Sequence, residues 1–443
     1  MTKADGASGA TMPRALFFEL LLLALIMAGL VHALWHLEVS GYLPQPFIWD
    51  PQDTFMDWFN PAYWAHREGI YSVWRAVYPP LSFAILQFLT NPACYASSPF
   101  VGRECDWLAQ ILIVGLYCAA ILASFRALRL VDPRTATIRT LALGLGLPGL
   151  YLLERGNLLI FCQIALALVV VPQAAGKWTR ALAAGVMINL KPYLLLPVLA
   201  WGARRDWRQL ELAGFATIGL YCLSWAMVGG GSPLEIAANT ANWVRVTGTD
   251  VVGEMFYTTS FNSMFGVFDR GFPILRFVGS RDYELFRLTL QLAVHLAQAI
   301  ALLAVILAVL RPRELTLARI MLLLLLLSLT NRSPGGYSEL LVVFLVFLEK
   351  WESPGPIVAI VVAYLISIPH ELVVSYLPNI NTSAWLSGEA VTARFGIGVG
   401  QFIRPLGLLL ILTALSLDTI SRVTRGLLRD RAQPAAPLRA GAA

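Results

Sequence analysis

Blocks of apolar residues close to twenty long recur along the 443-residue chain, among them Ala15 to Trp35, Leu288 to Leu310 and Leu315 to Leu329. A bilayer core of about 30 Å is crossed by roughly 20 apolar residues in a helix, so this pattern constrains the fold more than any other feature. Only 14% of residues are charged, against about 25% in an ordinary soluble protein. That composition argues against a soluble enzyme, and no polar stretch is long enough to bury a separate core. The expected fold is an all-α polytopic membrane protein with short juxtamembrane helices in its outer loops. The net charge of +6 bears on orientation; no basic run with interleaved aromatics points to nucleic acid.

The first block follows Lys3 and Arg14 and meets Trp35, His36, Leu37 and Glu38 with no small-residue cleavage site. It reads as a retained first helix with a cytoplasmic N-terminus. Residues 36–77 hold five acids and two bases, and residues 229–286 hold six acids and four bases. Both suit the outside, because loops rich in Lys and Arg stay in the cytoplasm. The remaining basic clusters are Arg126 to Arg139, Lys177/Arg180 and Arg204/Arg205/Arg208. Keeping all of them inside makes 79–91 non-spanning and turns 181–203 into a hairpin of half-helices broken at Lys191-Pro192. The simpler count crosses once at each block and gives about 12 helices. One transmembrane domain is expected over 1–420, followed by a basic, disordered cytoplasmic tail over 421–443.

Cys118, Cys162 and Cys222 lie in apolar blocks and suit small core positions. Cys94 and Cys105 flank a polar loop and would be free to pair if that loop faces outward. The five His are scattered, and no CxxC or His/Cys cluster suggests a metal. No cofactor is expected.

An ionisable group in lipid costs roughly 2.5–3.5 kcal/mol, so each one inside an apolar block needs a reason. The cases here are Glu154-Arg155-Gly156-Asn157, Lys191 and Arg332. Their plain readings are neutralisation of Glu154 by Arg155, and snorkelling of the long side chains to a helix end. Asn331-Arg332-Ser333-Pro334 also reads as a loop.

The first outer loop is the most informative. It carries Asp50, Asp53 and Asp57 among five aromatics between positions 55 and 64. Asn60-Pro61 suits the start of a short helix over 61–68, with Gly69 just past its end. If 52–58 forms a helical turn, Asp53 and Asp57 share a face. The bland reading is a solvated acidic loop. The aromatic density argues instead for a loop lying on the membrane, with carboxylates partly desolvated and raised toward the range of a general base. In the second outer loop, Asn262 and Ser263 sit among aromatics, as an interfacial helix would place them.

An outer-loop Asp is followed by Gly69-Ile70-Tyr71 and Tyr78-Pro79-Pro80-Leu81. Gly156-Asn157, Lys191-Pro192, Asn262-Ser263 and Ser333-Pro334-Gly335-Gly336-Tyr337 then come in that order. Together they resemble the polyprenyl-phosphate-sugar-dependent glycosyltransferases of the GT-C superfamily, specifically the mannosyltransferase-like family 87. The resemblance spans about 50 to 345, and order and spacing carry it. Two details depart from the family: its Gly-Gln-x-Asn turn is here Glu154-Arg155-Gly156-Asn157, and its His after the Ser-Pro is replaced by the neighbourhood of Tyr337 and Glu339.

The resemblance implies a GT-C-type bundle and an outer-loop Asp as general base. Asp57 matches best, with Asp53 and Asp50 as alternatives. It implies an inverting transfer of a hexose or pentose, mannose first, from a polyprenyl-phosphate donor to a lipid or glycan acceptor. Lys191, Arg155 and Arg332 become the candidates for the donor phosphate. Tyr78, Glu154, Asn157, Asn262, Ser263 and Tyr337 become the candidates for substrate binding. No metal is expected, although the Asp50/Asp53/Asp57 set is the one place that could hold one. The implied location is a bacterial cytoplasmic membrane with the site on its periplasmic side. The rival classes are a transporter or flippase of lipid-linked sugars, which the broken helix at Lys191-Pro192 would suit, and a structural scaffold.

Overall fold

The computed structural model describes residues 12–47, 50–247, 261, 265, 268, 274–312, 314–330, 335–376, 378–385 and 387–432. Five of its helices are long and apolar enough to cross a membrane. They are α1 (Met12–Ser40), α5 (Trp107–Val131), α12 (Trp207–Val228), α14 (Ser280–Leu310) and α18 (Gly400–Ala432). A sixth span results if α6 (Ala136–Leu145) and α7 (Leu147–Arg155), bent by 45° at their junction, are counted as one. These long helices expose Leu, Phe and Trp side chains outward, as a lipid-facing surface requires, and an integral membrane protein is what they fit.

The count of about twelve spans is not reached by that criterion, because the other apolar helices are short. They include α8 (Leu159–Val170), α9 (Lys177–Leu190), α15 (Leu317–Leu329), α16 (Glu339–Phe347) and α17 (Pro354–Ile366). At 1.5 Å per residue, α8 and α9 reach only about 18 and 21 Å, short of the hydrocarbon thickness. Lys191 ends α9, and Pro192 starts a return arm, Pro192–Ala203, containing α10 (Leu195–Val198) and α11 (Ala200–Ala203). Residues 177–203 therefore form a hairpin with Lys191 at its tip, matching the scheme that keeps every basic cluster on one side. α3 (Pro80–Leu89) does not span: Gln87 Nε2 donates to Ala65 O at 2.7 Å, and His66 Nε2 meets Thr90 Oγ1 at 2.8 Å. Its far end thus returns to the first outer loop.

One end of the bundle gathers the basic turns. Val131, Val171, Arg180, Arg204, Thr316 and Leu348 line one cavity there. Two buried ion clusters brace this end. Arg139 donates to both oxygens of Glu19, which is fully buried in α1 and also accepts from Trp351 Nε1 (2.5 Å) and Tyr364 OH (2.9 Å). Arg319 pairs with Glu349 (2.5 Å) and Asp418 (2.9 Å). Arg422 pairs with Asp418 one turn away at 2.8 Å. Arg422 lies within α18, which runs on to Ala432. The tail from 433 lies outside the described residues.

The opposite end carries a small β layer that the all-α expectation missed. β1 (Val373–Tyr376) pairs antiparallel with β4 (Gly396–Gly398), and β2 (Ile380–Ser383) with β3 (Ala390–Ala393). The strands are only three or four residues long, too short for periodicity to betray them, and they lean on the first outer loop. Gln52 Nε2 donates to Ser383 O at 2.9 Å, Thr382 Oγ1 to Asp50 Oδ1 at 2.9 Å, and Phe55 packs edge-on to Trp385. Cys94 and Cys105 form a disulfide in the adjoining segment.

Candidate active site

The short helix of the first outer loop, α2 (Met56–Ala65), begins five residues before the start expected from Asn60-Pro61. Phe55 precedes it in the left-handed region (φ 64°), a conformation that disfavours a bulky residue. Two contacts impose it. Phe55 N donates to Glu154 O at 2.8 Å, and its ring packs on Trp385. Arg103, fully buried in α4 (Pro99–Cys105), donates to Gln52 O at 2.6 Å and Thr54 O at 3.0 Å and lies over Trp385. The loop is thus a clamped object.

Across from it, α7 ends in a left-handed Gly156 (φ 61°) whose amide bonds Leu153 O, while Asn157 N bonds Leu152 O. This is the glycine cap that closes a helix C-terminus. A Cβ at Gly156 would also sit 3.3 Å from Phe55 Cα, so the same glycine admits the loop backbone. Successive helical residues do not face one another, and Arg155 turns away from Glu154 to the loop. Its Nη1 donates to Asp53 Oδ2 and its Nη2 to Asp57 Oδ1, both at 2.6 Å. The hydrogen bonds of Arg155 thus go to the loop and not to Glu154, whose Oε2 is buried without a hydrogen-bond partner among the described residues.

Asn157 completes the hold. Its Oδ1 accepts from Leu159 N at 3.0 Å, which leaves Nδ2 to donate to Asp57 Oδ2 at 2.7 Å. Each oxygen of Asp57 thus receives one donor. Burial pushes the Asp57 carboxyl up, but the Arg155 charge and the bonds from Arg155 and Asn157 outweigh it and leave it below the ordinary Asp value. The upward shift expected of these carboxylates is found at Asp53, where burial outweighs Arg155. Asp50 is spent elsewhere, accepting from Gln52 N at 3.0 Å and from Thr382. Among the described residues no three His, Cys, Asp or Glu side chains group as a metal would need.

The break after α9 brings Lys191 to the same place. Its ammonium lies 4.6 Å from the Tyr78 ring centroid and 5.5 Å from that of Tyr337, with no carboxylate within 4 Å among the described residues. Its charge acts on Asp57. Two cation–π faces offset burial only in part, at about 0.5–2 kcal/mol each. Tyr337 stacks on Tyr151 at 6.3 Å, and Tyr193 OH bonds Ser338 Oγ at 3.0 Å, extending an aromatic wall around the lysine. Tyr151, Tyr193, Ser338 and Arg103 escaped sequence reasoning. The only signal was aromatic residues one turn from Glu154 and two residues past Lys191. Of the expected set, Asp53, Asp57, Tyr78, Glu154, Arg155, Asn157, Lys191 and Tyr337 meet here. Arg332, Asn262 and Ser263 lie outside the described residues.

Asp57, Arg155, Asn157 and Lys191, each singled out in the sequence, thus lie together, with Arg155 and Asn157 bonded to the Asp57 carboxylate. Residues 152–331 match the model of glycosyltransferase family 87. The resemblance read from the motif order is thus found independently, over a segment that contains the Glu154–Asn157 turn and Lys191. A family 87 match indicates a membrane glycosyltransferase, and so a sugar donor and an acceptor as substrates. No curated protein and no solved structure matches the chain.

The Arg155 contact sets a pH expectation. If Asp57 accepts a proton in the reaction, its lowered pKa keeps it ready through the neutral range, and activity should show no acid-side fall there. In Arg155→Gln, burial acts with one opposing donor fewer, and the acid limb of kcat/KM should move up by about 1–3 pH units. An unchanged limb would mean Arg155 does not control this carboxylate.

Proposed function

We propose that this protein transfers a hexose or pentose, mannose first, from a polyprenyl-phosphate donor to a lipid or glycan acceptor, with inversion at the anomeric carbon. The observation that carries the reading is the Asp57 carboxylate, fixed at both oxygens by Arg155 and Asn157 and within the field of Lys191. The acceptor hydroxyl attacks the anomeric carbon as its proton passes to Asp57, and the bond from that carbon to the phosphate oxygen breaks. The departing polyprenyl phosphate gains one negative charge. It needs a cation beside it more than an acid, since a phosphate leaves without a proton. Lys191 supplies that cation, and the walls of Tyr78 and Tyr337 keep water from screening it. Arg155 is committed to Asp53 and Asp57, which favours a positioning role over phosphate binding. The unpartnered Glu154 oxygen suits a sugar hydroxyl.

The basic turns at the other end favour this site facing away from the cytoplasm, on the periplasmic side of a bacterial inner membrane. A lipid-borne donor fits such a side, because no nucleotide sugar is needed there. The test is incubation of purified protein with radiolabelled polyprenyl-phosphate mannose, glucose or arabinose and a membrane-lipid acceptor extract. A labelled glycoside should form; a protein that moves donor across vesicles and forms no glycosidic bond would be the flippase instead. Lys191→Met should lower kcat/KM for the donor by roughly 10²–10³-fold, with partial recovery in Lys191→Arg. Equal turnover in Lys191→Met would remove the lysine from the mechanism.

A further inference from the structure

The cavity at the basic end, about 510 Å³, is built from parts the transfer reaction does not use. It lies between the feet of the α9–α11 hairpin, the end of α8 and the start of α15, and Arg180, Arg204, Asp206, Trp201 and Thr316 line it. Arg180 is buried. It donates Nε to Val169 O at 3.1 Å and rests over the Trp201 ring at 5.4 Å. Arg204 donates Nη1 to Leu315 O at 2.7 Å. Neither guanidinium has a carboxylate within 4 Å among the described residues, in contrast to Arg139 and Arg319 at the same end, which are fully ion-paired. The single carboxylate of the lining, Asp206, caps α12 by accepting from Gln209 N. Two forks of N–H donors therefore keep free positions toward a shared space, the arrangement that binds a phosphate in bidentate fashion.

The depth of this cavity selects the source of the phosphate. Trp178, two residues before Arg180, and Trp207, next to Asp206, are both exposed, as tryptophans are where helices pass the headgroup layer. Lys177, at the start of α9, and Arg205, beside Arg204, add positive charge next to the lining. Basic pockets between helices at that level accept anionic headgroups. We propose that the cavity between Arg180 and Arg204 is a binding site for the phosphate of an anionic membrane lipid, separate from the Asp57 site and at the other end of the bundle. An occupant there braces both legs of the hairpin that carries Lys191.

The experiment is native mass spectrometry of the full chain released from micelles doped with phosphatidylglycerol or with phosphatidylcholine. Thermal unfolding in the same mixtures runs alongside. Wild type should retain phosphatidylglycerol roughly tenfold more than phosphatidylcholine and unfold at higher temperature with it. Arg180→Gln/Arg204→Gln should lose that preference, while Arg208→Gln, an exposed arginine outside the lining, should keep it. If the double variant does not fold, Arg204→Gln alone, at a half-exposed position, should weaken retention several-fold. Equal retention of the two lipids by wild type, or an undiminished preference in the arginine variants, overturns the proposal. Stabilisation by inorganic phosphate without any effect of phosphatidylglycerol overturns the lipid assignment and makes the ligand a soluble phosphate.

Discussion

Asp57→Asn should reduce sugar transfer by roughly 10²–10⁴-fold, the range lost with a general base, while the protein still inserts and purifies normally. The fold should survive because Arg155 retains Asp53 at 2.6 Å and the loop retains Arg103 and the Phe55–Glu154 backbone bond. Asn offers no oxygen that accepts a proton at the attacking hydroxyl, and its amide faces the Asn157 amide donor across the position of Asp57 Oδ2. Asp53→Asn is the necessary companion. Asp53 is the more exposed of the two, at 39% of its side chain against 20% for Asp57, and its loss should cost under about tenfold, through a looser Arg155. An inactive Asp53→Asn beside an active Asp57→Asn would exchange the two roles. Steady-state transfer of a labelled sugar with each purified variant decides between them.

The largest stability effect is expected far from the site. Arg139→Met should destabilise by about 3–5 kcal/mol, because it strands the Glu19 charge in a fully buried position. It also strips Phe347 O and Glu349 O of their donors. Glu19 keeps Trp351 and Tyr364 as donors, which soften the loss without matching a guanidinium. In Glu19→Gln/Arg139→Met the stranded charge is gone, and a substantial part of the loss should return. Thermal unfolding in detergent of the single and double variants measures the difference. A double variant no better than Arg139→Met would show that the carbonyl contacts, not the ion pair, dominate.

These two residues also mark what the sequence conceals. Glu19 is one of two acids in a 26-residue apolar span, and its partner lies 120 positions away; nothing local announces the pairing. Asp57, Asn157 and Lys191 were legible because polar groups stand out where lipid makes them costly, and because the ordered motifs tie them to a family. The partners of Arg155 were not. Adjacency in the chain suggested Glu154, whereas helix geometry sends neighbouring side chains in different directions and gives Arg155 to the loop. The membrane class followed from the apolar blocks alone. The span count did not, since a block of suitable length reads the same whether it crosses once or folds back at a proline. Here the clustering of basic turns was the better guide: it gave the broken hairpin at Lys191 and the non-spanning 79–91 segment.

The shortness of α8 and α9 has a consequence for how a greasy substrate would be met. Helices of about 18 and 21 Å rising from the basic face stop some 10 Å beneath the opposite surface of a typical hydrocarbon slab. If the basic turns lie at one bilayer surface, Asn157 and Lys191 would stand on a sunken floor, short of the opposite phosphate plane. A carrier lipid arriving sideways would not have to be lifted out of the bilayer; its phosphate would be drawn down toward the lysine, its chain still among other chains. The depth of this floor is set by nothing more than where two helices run out of residues.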